Sequence, residues 1–395
     1  MKFFHRSKLI FTTFRKACRY HFRLNAVPEE FTEYATIPDI TNARIWFDRD
    51  LSTFIQTIIQ DDQREKASFG TSCDDFPVSV LAISGGGDNG AFAAGVLGGL
   101  SASGQRPYFK VVTGISTGAL IAPFAFLGTP YDDILQTVAT SVGPDKIFQH
   151  RNIFMGLAKD GMANSKPLAK ILKQYITPEI LNLVAKEYRK GRVLQIGTTD
   201  LDSGRQVIWN MGEIASSNSP NALELFCKII IASASIPGVV SPVMIDVEVN
   251  RKKYQEMHVD GGVVSQVFLY PATLMEELER VTGKHLSREV HMYVIRNGRL
   301  KSNWSETKKR TLSIGGRAIN ILIQSQGIND LLHLFQIAKQ DNVDFNLAYI
   351  GEDFNVEHAQ EFDRHYMQKL YEYGFNFAAT HQQWHKSLPK EVLMR

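Results

Sequence analysis

The chain of 395 residues has only three cysteines, Cys18, Cys73 and Cys227, odd in number and widely spaced. That excludes a disulfide framework and a cysteine-built zinc site. It also lacks an apolar run approaching the roughly 18 residues of a membrane span. Charge of one sign is missing too: 44 basic against 41 acidic residues leave +3, too near neutral for a nucleic-acid binder. Internal repeats and low-complexity tracts are absent as well. What remains is an ordinary globular composition, 44% hydrophobic and 22% charged, with ample length for a large core.

One region does lack acid. No Asp or Glu precedes Glu29, while Lys2, Arg6, Lys8, Arg15, Lys16, Arg19 and Arg23 interleave with Phe3, Phe4, Leu9, Ile10, Phe11 and Phe14. The apolar centre 9–14 is too short and too threonine-rich for a signal-peptide core. Two readings stay open: a basic amphipathic segment that rests on anionic lipid, and a frayed basic tail. Cytoplasm, membrane surface and signal-independent secretion are all compatible with it.

The chain is organised around residues 78–120. The apolar run 78–83 predicts a buried strand, which ends in Gly85-Gly86-Gly87-Asp88-Asn89-Gly90 and opens into an apolar helix. A second strand, 109–113, ends in Gly114-Ile115-Ser116-Thr117-Gly118 and a second apolar helix. G-x-S-x-G between strand and helix is a nucleophile elbow, which holds a serine hydroxyl clear of the sheet. The alternative is a turn serine that caps a helix. The first turn matches the G-x-G-x-x-G of dinucleotide sites, but the following strand ends without the ribose-binding acid. The backbone N–H groups of Gly85, Gly86 and Gly87 are better read as an oxyanion hole.

Farther on, Asp260-Gly261-Gly262 follows a short strand. A carboxylate there, within reach of Ser116, is a general base; the bland alternative is a turn aspartate. A triad would need a histidine, and of the eleven present none, His258, His291, His358, His365, His381 and His385 included, has a distinctive setting. A Ser-Asp dyad is therefore expected in place of a triad. Asp200 and Asp202 share one polar turn, which predicts hairpin chemistry over a metal pair. The polar loop 147–165 is expected to border the pocket. Residues 68–77 are expected to form a turn-rich linker. Helical spacing of Phe362, Tyr366, Leu370 and Tyr373 predicts a stripe that closes the core.

The order GGGDNGA, GISTG, VDGG resembles the patatin-like phospholipases, bacterial members included. Ala232 to Pro237 and Pro242 look like the segment before the aspartate strand in that family. The resemblance implies a three-layer α/β/α fold with a mostly parallel central sheet. It implies hydrolysis of fatty-acyl esters of membrane lipids, of phospholipase A type, through an acyl-enzyme. Ser116 would be the nucleophile, Asp260 the base, and Gly85, Gly86 and Gly87 the oxyanion hole. Gly90, Gly114, Gly118, Gly261 and Gly262 would be the motif glycines. No metal or cofactor is implied, and the partner is membrane lipid, with peripheral membrane contact and no nucleic acid. Two departures stand out: Asn89, where many members carry Arg or Lys, and Gln266-Val267-Phe268, where Asn-Pro is common. Three regions follow: a basic segment and arm at 1–75, a catalytic core at 76–296, and a mainly helical C-terminal region at 297–395. Two other functions remain as alternatives, a catalytically weak or inactive lipid-binding member and a dinucleotide-binding oxidoreductase.

Overall fold

A computed structural model of the chain describes residues 23, 25–48, 51–70, 75–140, 149–150, 163–164, 166–283, 288–301, 304–380 and 384–394. The basic stretch 1–22, most of the loop 147–165, positions 71–74 of the linker and His381 lie outside these residues. A short strand β1 (Arg44–Trp46) and helix α1 (Leu51–Phe69) precede the core. Then come β2 (Val78–Ile83), α2 (Gly90–Ala102), β3 (Phe109–Gly114), α3 (Thr117–Leu127) and α4 (Asp132–Thr140). The pair β4 (Gln149–His150) and β5 (Ala163–Asn164) leads to α5 (Lys166–Tyr175) and α6 (Pro178–Arg189). A hairpin, β6 (Val193–Asp200) and β7 (Arg205–Asn210), is followed by α7 (Met211–Ser216) and α8 (Ala222–Ser233). Next are β8 (Val243–Val249), β9 (Lys252–Asp260), α9 (Leu274–Thr282) and β10 (Val290–Arg296). Last are α10 (Thr311–Gln340), β11 (Asp344–Tyr349), α11 (Arg364–Ala379) and α12 (Lys390–Leu393).

The sheet runs β1-β7-β6-β3-β2-β10-β11, with β9 pairing β6 and β8 pairing β9. From β6 to β11 neighbouring strands are parallel. The β1, β7, β8 and β9 pairings are antiparallel. Parallel strands covered on both faces read as continuous apolar runs, which is why VSVLAI carries no alternation. One face packs Leu81, Ile83 and Val112 against α2, α3, α8 and α11; the other packs Val80, Ala82 and Val294 against α10. Helices α1 and α9 extend that second layer through Phe54, Ile55, Leu274 and Leu278. This is the three-layer, mostly parallel α/β/α architecture that the sequence leads one to expect.

Two features tie the C-terminal region to the site-bearing turns. Strand β11 is the sheet edge beside β10, and α11 lies backbone to backbone on α2. A Cβ at Gly95 would sit 2.2 Å from the Tyr371 carbonyl oxygen, and one at Gly374 would sit 2.4 Å from that of Phe92. Asp363 caps α11 by accepting from the His365 and Tyr366 N–H groups. Along α11, Tyr366 and Leu370 are buried, while Phe362 and Tyr373 pack against the same core.

The apolar, helically spaced residues of 321–339 form the later part of a longer helix that starts at Thr311. Gly315-Gly316 hides its beginning, since each glycine costs about 1 kcal/mol of helix propensity.

Candidate active site

Ser116 stands between β3 and α3 at φ 55°, ψ −122°, a conformation that residues other than glycine rarely hold. Such a turn keeps the hydroxyl off the helix cap, so the capping alternative fails: no side-chain cap bond is made. The turn is tight because strand and helix touch through glycines. A Cβ at Gly118 would lie 2.3 Å from the Ile83 carbonyl oxygen, and one at Gly114 would lie 2.4 Å from that of Gly118. Gly90, Gly261 and Gly262 likewise stand where a side chain would strike Thr117, Gly197 and Gln266. The Ser116 N–H donates to Ser233 Oγ at 2.9 Å, and the Ser233 hydroxyl donates to the Gly197 carbonyl at 2.7 Å.

Asp260 ends β9, opposite Thr198 of β6, and is buried. Its N–H donates to the Ser235 carbonyl at 3.0 Å, and its Oδ1 accepts the Gly262 N–H at 2.7 Å. Burial pushes its carboxyl up to about 7; hydrogen bonds from the Ser116 hydroxyl and the Gly262 N–H pull the other way. Serine and aspartate, far apart in sequence, are thus brought near enough for the hydroxyl to act on the carboxyl. A carboxylate poised near neutrality beside a hydroxyl can take its proton. The segment 233–235 holds both partners, one through a side chain and the other through a carbonyl.

The glycine loop lies over this pair. A Cβ at Gly85 would come within 3.1 Å of the Ser116 Cβ. The Gly85 N–H, however, donates to the Gln266 carbonyl at 3.0 Å, which removes it from the expected set of three oxyanion donors. The N–H groups of Gly86 and Gly87 have no acceptor among the described residues. Where the dinucleotide reading needs an acid, β3 ends in Gly114 and the serine turn.

Residues beyond 296 hold this loop in place. Asn297 donates from its N–H to Ser84 Oγ at 2.9 Å and from Nδ2 to the Ser84 carbonyl at 2.8 Å. Asn297 also fills the space beside Gly86, where a Cβ would lie 2.2 Å from its carbonyl oxygen. Asp88, which is buried, accepts from His358 Nε2 at 2.6 Å and from the Phe362 N–H at 2.7 Å. The Tyr366 hydroxyl donates to Asn89 Oδ1 at 2.7 Å, and the His358 ring stacks on Tyr366. Asn89 thus serves as an anchor point. At the other departure, the Gln266 amide donates to the Gly262 carbonyl, and its N–H donates to Asp330.

No histidine among those described substitutes for Asp260. The two ring nitrogens of His258 face Thr198 Oγ1 at 3.0 Å and Glu256 Oε2 at 3.1 Å, in a network with Trp209 and Arg44. His291 meets Asp344 at the opposite end of the sheet. Asp200 caps the β6–β7 turn by accepting from the Ser203 N–H and hydroxyl, and Asp202 pairs with Arg23. Among the described residues no group of three or more His, Cys, Asp or Glu is placed to hold a metal ion. Sequence reasoning misses Ser233 as a support and Asp88, Asn297 and His358 as anchors. Only the first leaves a signal, in the segment ASASIP before β8.

A family model described as patatin-like phospholipase matches residues 81–273, a span that contains every turn described above. Over that span the chain is similar to the patatin-like phospholipases, a family that points to lipid acyl hydrolysis. Among solved structures, the crystal structure of VipD from Legionella pneumophila is similar at 10% identity and a TM-score of 0.36. That similarity covers 77% of this chain and 67% of that chain. A comparison with curated proteins finds no match.

Proposed function

We propose that the protein is a serine-dependent lipid acyl hydrolase of phospholipase A type, with Ser116 and Asp260 as its dyad. The observation that carries the reading is the buried Asp260 carboxyl, raised to about 7, beside the Ser116 hydroxyl on a strained elbow. Asp260 takes the hydroxyl proton as Oγ attacks the ester carbonyl of a membrane lipid. The Gly86 and Gly87 N–H groups receive the oxyanion, with the start of α2 just behind them. Collapse breaks the ester C–O bond, and Asp260 returns the proton to the departing alcohol, a lysolipid. Water then attacks the acyl-serine, gives its proton to Asp260, and releases the fatty acid as the serine is restored. This chemistry needs no cofactor, since one titrating group serves both halves.

Release of free fatty acid from mixed phospholipid vesicles tests the reading. The parent chain should release fatty acid, and Ser116→Ala and Asp260→Asn should each lose it by about 10³-fold or more. Ser116 should also take a fluorophosphonate label covalently. A chain that neither hydrolyses nor labels is the inactive lipid-binding alternative; full activity in Asp260→Asn would place the base elsewhere.

A further inference from the structure

We infer that the first half of α10 is a docking arm for anionic lipid surfaces. Helix α10 runs antiparallel to β10. Its end feeds β11, where Asp344 pairs with His291 at the start of β10, and Gly327 stands against Arg296 at the finish of β10. Among the described side chains of α10, burial begins only at Gly327: Ile328, Leu331, Leu334, Phe335 and Ala338 pack on the sheet. At 1.5 Å per residue, positions 311–326 therefore extend the helix by about 24 Å past its sheet-packed half, on the side where Ser116 and Asp260 lie.

That projecting half is apolar where a solvated helix would be polar. Ile314, Ile321 and Leu322 fall at i, i+7 and i+8 on one face, and Leu322 is 68% exposed. Trp304, in the approach to the helix, is 89% exposed. The charge alongside is mostly of one sign: Lys308, Lys309, Arg310 and Arg317 are met by a single acid, Glu306, in 304–329. The helix start adds its own partial positive charge and has no acid in its first turn to offset it. Exposed aliphatics and a tryptophan beside a cluster of cations match the apolar boundary and anionic headgroups of a bilayer. Its position directs the dyad's edge of the sheet toward that surface.

Flotation of the full chain with phosphatidylcholine vesicles, with and without phosphatidylglycerol, reads docking without turnover when done in Ser116→Ala. A failure of the hydrolase reading therefore leaves this test intact. The parent should float with the anionic vesicles. Lys308→Gln, Lys309→Gln and Arg310→Gln should each weaken binding about fivefold. Ile321→Asp with Leu322→Asp should reduce binding further, with an unchanged melting temperature, because those side chains are exposed. Residues 1–22 are common to all variants, so the loss is read as a difference. Equal flotation with neutral and anionic vesicles, no flotation of the parent, or variants that float like the parent would overturn the inference. The last outcome would give this face to a protein partner.

Discussion

The two strand-turn-helix units at the centre of the sheet look alike in sequence and are held in opposite ways. The serine turn is closed by its own glycines, Gly114 against Gly118 and Gly118 against the neighbouring strand β2, with Ser233 as a side-chain support. The glycine loop one strand away is shaped from outside, by Gln266, Asn297, His358, Phe362 and Tyr366. A turn whose geometry is locally determined can be read from a pentapeptide. A loop whose geometry depends on residues about 180 to 280 positions away cannot. The difference also separates their supports: the strained backbone of Ser116 is closed by nearby glycines, whereas the glycine loop is aimed by the C-terminal region.

The sharpest break of this comparison is Gly118→Val. The side chain would enter the Ile83 carbonyl and should cost more than about 4 kcal/mol, leaving little folded protein in a thermal melt. If the variant melts like the parent, the turn is not closed by glycine contact.

The next effect is electrostatic and belongs to the serine side alone. Asp260 has its carboxyl pushed up to about 7 in the folded chain, above its ordinary value of 3.8. Between those values the folded state keeps a proton that the unfolded state has released, so stability falls as pH rises from about 4 to 7. Asp260→Asn removes that penalty. It should stabilise the chain by about 1 kcal/mol or more near pH 8 and progressively less toward pH 4. Denaturant melts across this range decide it, and a gain independent of pH would contradict the assignment. In the parent, kcat/KM should fall as pH drops below about 7, because the protonated carboxyl cannot act as base.

The smallest effect belongs to the other turn. Asp88→Ala cuts two anchors, to His358 and to the Phe362 N–H. It should lower kcat by about tenfold through a misplaced loop, with stability lowered by only about 1–3 kcal/mol. Ser116 should still label with a fluorophosphonate in that variant. Loss of labelling along with turnover would mean that the two turns are not independently held.

Much of the site is legible in the amino-acid order alone. Ser116 and Asp260 each sit between a strand and glycines, and both signals are local. Gly85 misleads because an N–H's availability depends on what lies opposite, here the Gln266 carbonyl. Gln266 and Asn89 read as departures from a family pattern, yet one bridges the glycine loop to the aspartate turn and the other receives the Tyr366 hydroxyl. The expected strands and layers follow from apolar runs buried on both faces. The early start of α10 does not, because two glycines and an exposed apolar face look like loop in one dimension.

The clamp of α11 on α2 has a consequence in time. The serine turn can form once the chain has been made to about residue 127, but the anchors of the glycine loop lie at 358–366 and α11 ends at Ala379. At a synthesis rate of about 5–20 residues per second, the interval between them is roughly 10 to 50 seconds. A nascent chain therefore carries the Ser116 turn well before the glycine loop beside it is fixed. A product cut short before His358 would lack the partners of Asp88 and Asn89, and its glycine loop would be left unaimed.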